Sequence, residues 1–176
     1  SIALYNWLAD YVVTTCEVVV DTIRQQARLP SYRCLSIPTG INPETLKVPE
    51  DGVLKLRKSL GVPPDTCLVG TACILRSWKG ISDFLQAAKL LRGKDKIKWL
   101  IVGGGVSEAY FRDQWRELGL QENVFFTGHL DNPYTAIAAM DVFVLLSTGH
   151  EGVSQASLQA AYLKKPLITT KVGGLP

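Results

Sequence analysis

The chain has 176 residues, 47% of them hydrophobic and 20% charged, with a formal net charge of +3. That length admits one domain of ordinary size plus a partial second unit, with enough apolar residues for a core. No apolar run approaches the roughly 18 residues needed to span a bilayer. No Lys/Arg block marks a nucleic-acid surface, although the mild positive balance admits an anionic ligand.

In chain order, residues 2–9 read as the end of an amphipathic helix, followed by a β-branched strand over Tyr11–Thr15. A helical stretch runs from Glu17 to Ala27 and stops before Pro30. Arg33–Ile37 is a second short strand, closed by Pro38-Thr39-Gly40, so residues 1–41 make one β–α–β pass. Residues 42–66 hold Pro43, Pro49, Pro63 and Pro64 and a short charged helix, Leu54–Leu60. They read as a linker with a lead-in helix.

From Cys67 the rhythm becomes regular. Strands are expected at Cys67–Leu75, Ile97–Val102, Val124–Thr127, Val142–Ser147 and Leu167–Thr170. They alternate with helices at Gly80–Leu91, Ser107–Leu118, Tyr134–Met140 and Val153–Leu163. Strands that are apolar throughout, alternating with helices, predict a parallel sheet covered on both faces. With right-handed crossovers this is an α/β, Rossmann-like, doubly wound domain over residues 67–176. Ligands in such folds sit beyond the carboxyl ends of the strands, so chemistry is sought in the loops after Leu75, Val102, Thr127 and Ser147.

The first of these loops is Arg76-Ser77-Trp78-Lys79-Gly80. A lysine at a helix start opposes the helix dipole, which points to an anionic ligand that compensates; a solvated surface pair is the alternative. The second holds Gly103-Gly104-Gly105. The dinucleotide fingerprint G-x-G-x-x-G fails here because Glu108 stands where its last glycine belongs. The glycines serve either a close ligand approach or a tight turn. The third holds His129, which reads as a structural loop residue as readily as a ligand contact. Neither His129 nor His150 has cysteines or carboxylates at metal-ligand spacing. The fourth runs Ser147-Thr148-Gly149-His150-Glu151-Gly152-Val153-Ser154. Glu151 and Gly152 precede a helix start whose amides at Val153, Ser154 and Gln155 suit a phosphate. Glu151 suits sugar hydroxyls, and Gln159, about 80° round a helix counted from Glu151, suits a ribose. An ordinary acidic cap is the alternative. Cys16, Cys34, Cys67 and Cys73 form no C-x-x-C pair and read as free thiols of a reducing compartment.

Six segments in order resemble glycosyltransferase family 4, which is retaining and has the two-domain GT-B fold. Ile37-Pro38-Thr39-Gly40-Ile41-Asn42 is similar to its I-P-N-G-V-D junction. Leu75 to Gly80 is similar to its L-R-P-W-K-G, and Ile101 to Gly105 to its strand–glycine turn. Val124 to Gly128 is similar to its V-x-F-x-G, and Ser147 to Gln159 to its S-x-x-E-G helix. Lys165 to Ile168 with Val172-Gly173-Gly174 is similar to its ending.

The resemblance implies the C-terminal, donor-binding half of such an enzyme. Residues 1–41 would be the last piece of the N-terminal acceptor domain, residues 42–66 the linker, and residues 67–176 a donor domain truncated at its C-terminus. Lys79 would hold the donor diphosphate. Gly152, Val153 and Ser154 would support phosphates and sugar, Glu151 would contact the transferred sugar, and Gln159 the ribose. Arg76, Gly103, Gly104 and His129 complete the expected donor site, with Glu151 and Lys79 as its catalytic pair. No metal or cofactor is implied, since cations and helix dipoles neutralise the leaving diphosphate.

The expected partners are a nucleotide-sugar donor, a glycan or lipid-linked acceptor and the missing N-terminal domain, with no nucleic acid. The expected setting is the cytoplasm, with scope for peripheral contact at the inner membrane face. The fragment alone is expected to bind donor weakly and transfer nothing. Two positions depart from the family: Ile74 replaces a common arginine, for which Arg76 is a candidate substitute, and Gln159 replaces the second glutamate. They keep open a catalytically weakened nucleotide-sugar-binding domain, with an epimerase of the same fold as a further alternative.

Overall fold

The computed structural model describes residues 5–94 and 96–176. A short helix α1 (Tyr5–Leu8) leads into β1 (Val12–Thr14), α2 (Glu17–Ala27) and β2 (Cys34–Ser36), and β1 and β2 pair in parallel as a two-stranded sheet. The rest of the expected first helix, residues 2–4, lies outside the described residues. Helix α3 (Gly52–Ser59) then precedes a regular alternation: β3 (Cys67–Ala72), α4 (Ile81–Leu90), β4 (Ile97–Val102), α5 (Glu108–Glu117), β5 (Val124–Gly128), α6 (Tyr134–Ala139), β6 (Val142–Leu145), α7 (Gln155–Tyr162) and β7 (Leu167–Thr169). These five later strands form one sheet in the order β5-β4-β3-β6-β7, with every pair parallel.

The central strands β3, β4 and β6 are buried on both faces because each face has its own helical layer, whereas Leu167 and Ile168 of the edge strand β7 are exposed. Leu100 and Val102 of β4 and Phe143 and Leu145 of β6 pack with Ala136, Ile137 and Met140 and with Ala160 of α7. The alternate residues, Trp99 and Ile101 of β4 and Val144 of β6, pack with Ile81, Phe84 and Leu85 of α4 and Phe111 of α5. The period-2 alternation of side chains thus divides one sheet between two cores. Phe84 meets Trp99 edge-on, with ring centroids 4.9 Å apart. Helix α3 lies on the α6 side, held by Arg57, whose Nη1 donates to Ala139 O and Asp141 Oδ2, each at 3.0 Å.

Most elements are shorter than the sequence pattern predicts, β3 and α7 the most. β3 ends at Ala72 rather than Leu75, although Cys73 and Leu75 still donate to Val102 O and Gly104 O, each at 3.0 Å, so the chain stays bonded to the turn after β4 as it enters the site loop. α7 begins at Gln155 rather than Val153, because Ser154 caps it, its hydroxyl accepting from Ser157 N at 3.4 Å.

Candidate functional site

The strand order reverses between β3 and β6. From β3 the crossover leads through α4 toward the β5 edge; from β6 it leads through α7 toward β7. The loops after these two strands therefore diverge over the carboxyl end of the sheet and leave a crevice, the usual ligand position in this architecture. They are joined at its floor. Thr148 N donates to Trp78 O at 2.8 Å, and the Trp78 and His150 rings meet edge-on at 5.2 Å. Gly80 has φ +66°, and a Cβ there would lie 2.0 Å from Leu146 O, so only glycine permits this approach.

Lys79 ends a single 3-10 turn, Ser77–Lys79, directly before α4. Its Nζ forms an ion pair with Glu151 Oε1, and the same oxygen accepts the Ser147 hydroxyl. The Lys79 side chain is 17% exposed and that of Glu151 6%. Burying such a pair is costly unless good geometry and further hydrogen bonds offset the desolvation, and Ser147 supplies one of these. The other oxygen, Oε2, makes no hydrogen bond among the described residues. Lys79 at a helix start therefore has its compensating anion within the chain, in Glu151.

Two cavities adjoin here, and the pair lines the first of them. One, of about 250 Å³, is bounded by Lys79, Glu151, Val153 and Ser154. The other, of about 220 Å³, is bounded by Gly103, Gly104, His129 and Gln159. Ala72, Cys73, Ile74, Gln155 and Ala156 line both, so the two are subsites of one cleft. Lys79 and Glu151 are the charged residues among those lining it, and they offset each other. Burial pushes the Cys73 thiol up to about 11, against a smaller opposing effect of the Lys79 charge.

The fold thus gathers eight of the ten expected donor-site residues into one cleft. Gly152 borders a separate cavity of about 660 Å³ beside Thr14 and Thr15, which Glu151 also touches. Arg76 is not in the cleft. Its guanidinium lies 5.3 Å over the Trp78 ring, a cation–π contact that turns it away from the position where it was to substitute for the missing arginine. Ile74, 61% exposed, occupies that position and borders both subsites.

Three further expectations change in detail. The Val153 amide is not free for a phosphate, since it donates to Thr15 Oγ1 at 3.1 Å. Glu151 precedes α7 by four residues, so the helical reckoning from Glu151 to Gln159 does not apply; Gln159 reaches the second subsite from within the helix. Within the triple glycine, Gly103 and Gly105 pack against the loop after β3, while Gly103 and Gly104 line the cleft. Gly103 has φ +128°, and a Cβ there would lie 2.0 Å from Cys73 O.

Thr15 and Ser147 were not singled out from sequence. Each is a polar residue just past the carboxyl end of an apolar strand, which is the signal that marks them. Among the described residues, no group of three or more His, Cys, Asp or Glu is placed to hold a metal ion.

Comparison with known proteins accords with this geometry. Residues 53–176 match the family model described as glycosyl transferases group 1. The O-antigen biosynthesis glycosyltransferase WclY of Escherichia coli is 29% identical over 116 residues, 66% of this chain and 32% of that protein. The alpha-monoglucosyldiacylglycerol synthase of Streptococcus pneumoniae is 29% identical over 145 residues, 79% of this chain and 32% of that one. Among solved structures, Anabaena HepE in complex with UDP-glucose superposes with a TM-score of 0.86 at 25% identity, covering 98% of this chain and 48% of HepE. The chain thus spans about a third of these curated relatives and about half of HepE.

Proposed function

The chain belongs to the group 1 glycosyl transferases, and from that premise we propose that it forms the donor-binding half of a retaining, metal-independent enzyme that moves a sugar from a nucleotide diphosphate carrier to a glycan or lipid-linked acceptor. The observation that carries this reading is the buried Lys79–Glu151 pair, which lines one of two adjoining subsites over the strand-order reversal. In the proposed binding mode the nucleoside lies in the Gly104–His129–Gln159 subsite. The diphosphate lies beside Lys79 and the start of α7, and the transferred sugar against Glu151.

The departing diphosphate gains negative charge as its bond to the sugar breaks. Groups already aimed at that charge in a partly dry site lower the barrier most. Lys79 is such a group once its Nζ turns from Glu151 to a phosphate oxygen. Glu151 then keeps a carboxylate next to the oxocarbenium-like sugar. The UDP-glucose complex of HepE supports a uridine-linked donor as the first to try. Relatives acting in O-antigen and glycolipid synthesis support an envelope glycan or lipid acceptor, a cytoplasmic setting and contact with the inner membrane face. Coverage of about half of HepE supports a separate acceptor half, with residues 1–41 its last piece and residues 42–66 the linker.

The test is product analysis on the full-length protein with labelled nucleotide sugars. Lys79→Ala is expected to lower kcat by at least about 100-fold, as removal of one preorganised donor does elsewhere. Unchanged turnover would remove Lys79 from the reaction. Ile74 and the offsetting charges of the cleft lining favour a second reading, a nucleotide-sugar-binding domain with weakened catalysis. Saturable donor binding without turnover in the same assay would select it.

A further inference from the structure

We infer that Ser147 is a positioning residue for Glu151, one that holds the carboxylate in place while Lys79 changes partners. The inference rests on the donor-site reading above and adds a residue that reading does not use. Ser147 is 0% exposed, and its hydroxyl donates to Glu151 Oε1, the oxygen that also accepts Lys79 Nζ. Its own carbonyl accepts the Thr170 hydroxyl, which ties it to the segment after β7. Ser147 is therefore fixed from behind and presents a single donor forward.

The consequence follows from which contacts survive donor binding. When Lys79 turns to a diphosphate, Oε1 loses its cationic partner. A glutamate side chain has three rotatable bonds, and with Oε2 unpaired the carboxylate would be free to change rotamer. The Ser147 hydroxyl does not depend on Lys79, so it keeps Oε1 anchored and leaves Oε2 directed by that anchor. A catalytic group displaced by about 1 Å costs up to about 100-fold in rate. Ser147 thus acts on the transfer step through Glu151 and not on donor affinity.

The experiment is a double-mutant cycle in the full-length protein with Ser147→Ala, Glu151→Ala and their combination, reading kcat, donor KM and thermal midpoint. Ser147→Ala is expected to lower kcat about 10- to 100-fold with KM changed less than about threefold. In the Glu151→Ala background, where no acceptor remains for Ser147, the same substitution is expected to change kcat by less than about twofold, since groups acting through one another are not additive. Wild-type kcat in Ser147→Ala, or an equal loss in both backgrounds, would overturn the inference, the latter by showing a general structural role. Should the alanine variant not fold, Ser147→Cys keeps the volume with a weak donor and is expected to show the same split in smaller measure. Turnover that survives Lys79→Ala would end the diphosphate role of Lys79 while the cycle still decides Ser147. A wild-type protein that transfers no sugar would end both.

Discussion

Glu151 holds Lys79 in the absence of donor, so the carboxylate competes with the diphosphate for the same ammonium. Replacing it by glutamine removes one negative charge and leaves an amide oxygen for Ser147. Breaking a buried pair by removing one partner typically costs about 3–5 kcal/mol, because the remaining charge is uncompensated. An anion that reaches Lys79 restores the balance. Glu151→Gln is therefore expected to lower the thermal midpoint of the free protein, to bind bare nucleoside diphosphate about tenfold more tightly than wild type, and to transfer sugar more slowly. Calorimetric titration with UDP checks the binding. Weaker UDP binding in the variant would mean that Glu151 does not compete for Lys79. Arg76 shows the limit of residue-level reading: it neighbours Ile74 in sequence, but its stacking on Trp78 directs its charge elsewhere.

The elements that build the site are loops whose backbones touch. Gly103 lies against Cys73 O, and Leu75 N and Gly104 O are bonded at 3.0 Å, so the turn after β4 is a brace for the loop after β3. Gly103→Ala is expected to cost at least about 2 kcal/mol in denaturant unfolding, combining a backbone clash with a strained φ. Gly104→Ala is expected to cost less than about 1 kcal/mol, since its Cβ would meet chiefly the flexible end of Glu108, at 3.2 Å. Equal losses would contradict the bracing role. The pattern of alternating apolar strands and helices was legible from composition and period alone, because the central strands β3, β4 and β6 are buried on both faces. Element ends were less so. The start of α7 depends on the Ser154 cap, and the Val153 amide is taken by Thr15, a residue 138 positions earlier in the chain.

At the scale of the whole molecule, the buried thiol of Cys73 ties stability to alkaline pH. Its folded value, about 11, lies above the ordinary value of 9.0. The unfolded thiol sheds its proton first as pH rises. The stabilisation is thus complete below about pH 9 and lost as pH climbs through about 11. Denaturant titrations across that window are expected to show a steeper loss for wild type than for Cys73→Ala. Parallel curves would show that Cys73 titrates no differently in the folded chain. Burial also raises the Cys67 thiol, which contributes in the same direction in both proteins.

What the amino-acid order determined by itself is the architecture and the position of its chemistry. Continuous apolar runs separated by helical stretches specify a parallel doubly wound sheet, and that topology places ligands beyond the strand ends, where Lys79, Glu151 and Gln159 were found. Those are local and topological consequences, carried by the spacing of residues along the chain. Only the tertiary structure decided which polar groups meet. Lys79 and Glu151 are 72 positions apart and become partners because β3 and β6 are neighbours in the sheet. Ser147 joins them, and Arg76 does not, for the same physical reason: hydrogen bonds and ion pairs act over a few ångströms, and distances that short are set by packing rather than by sequence.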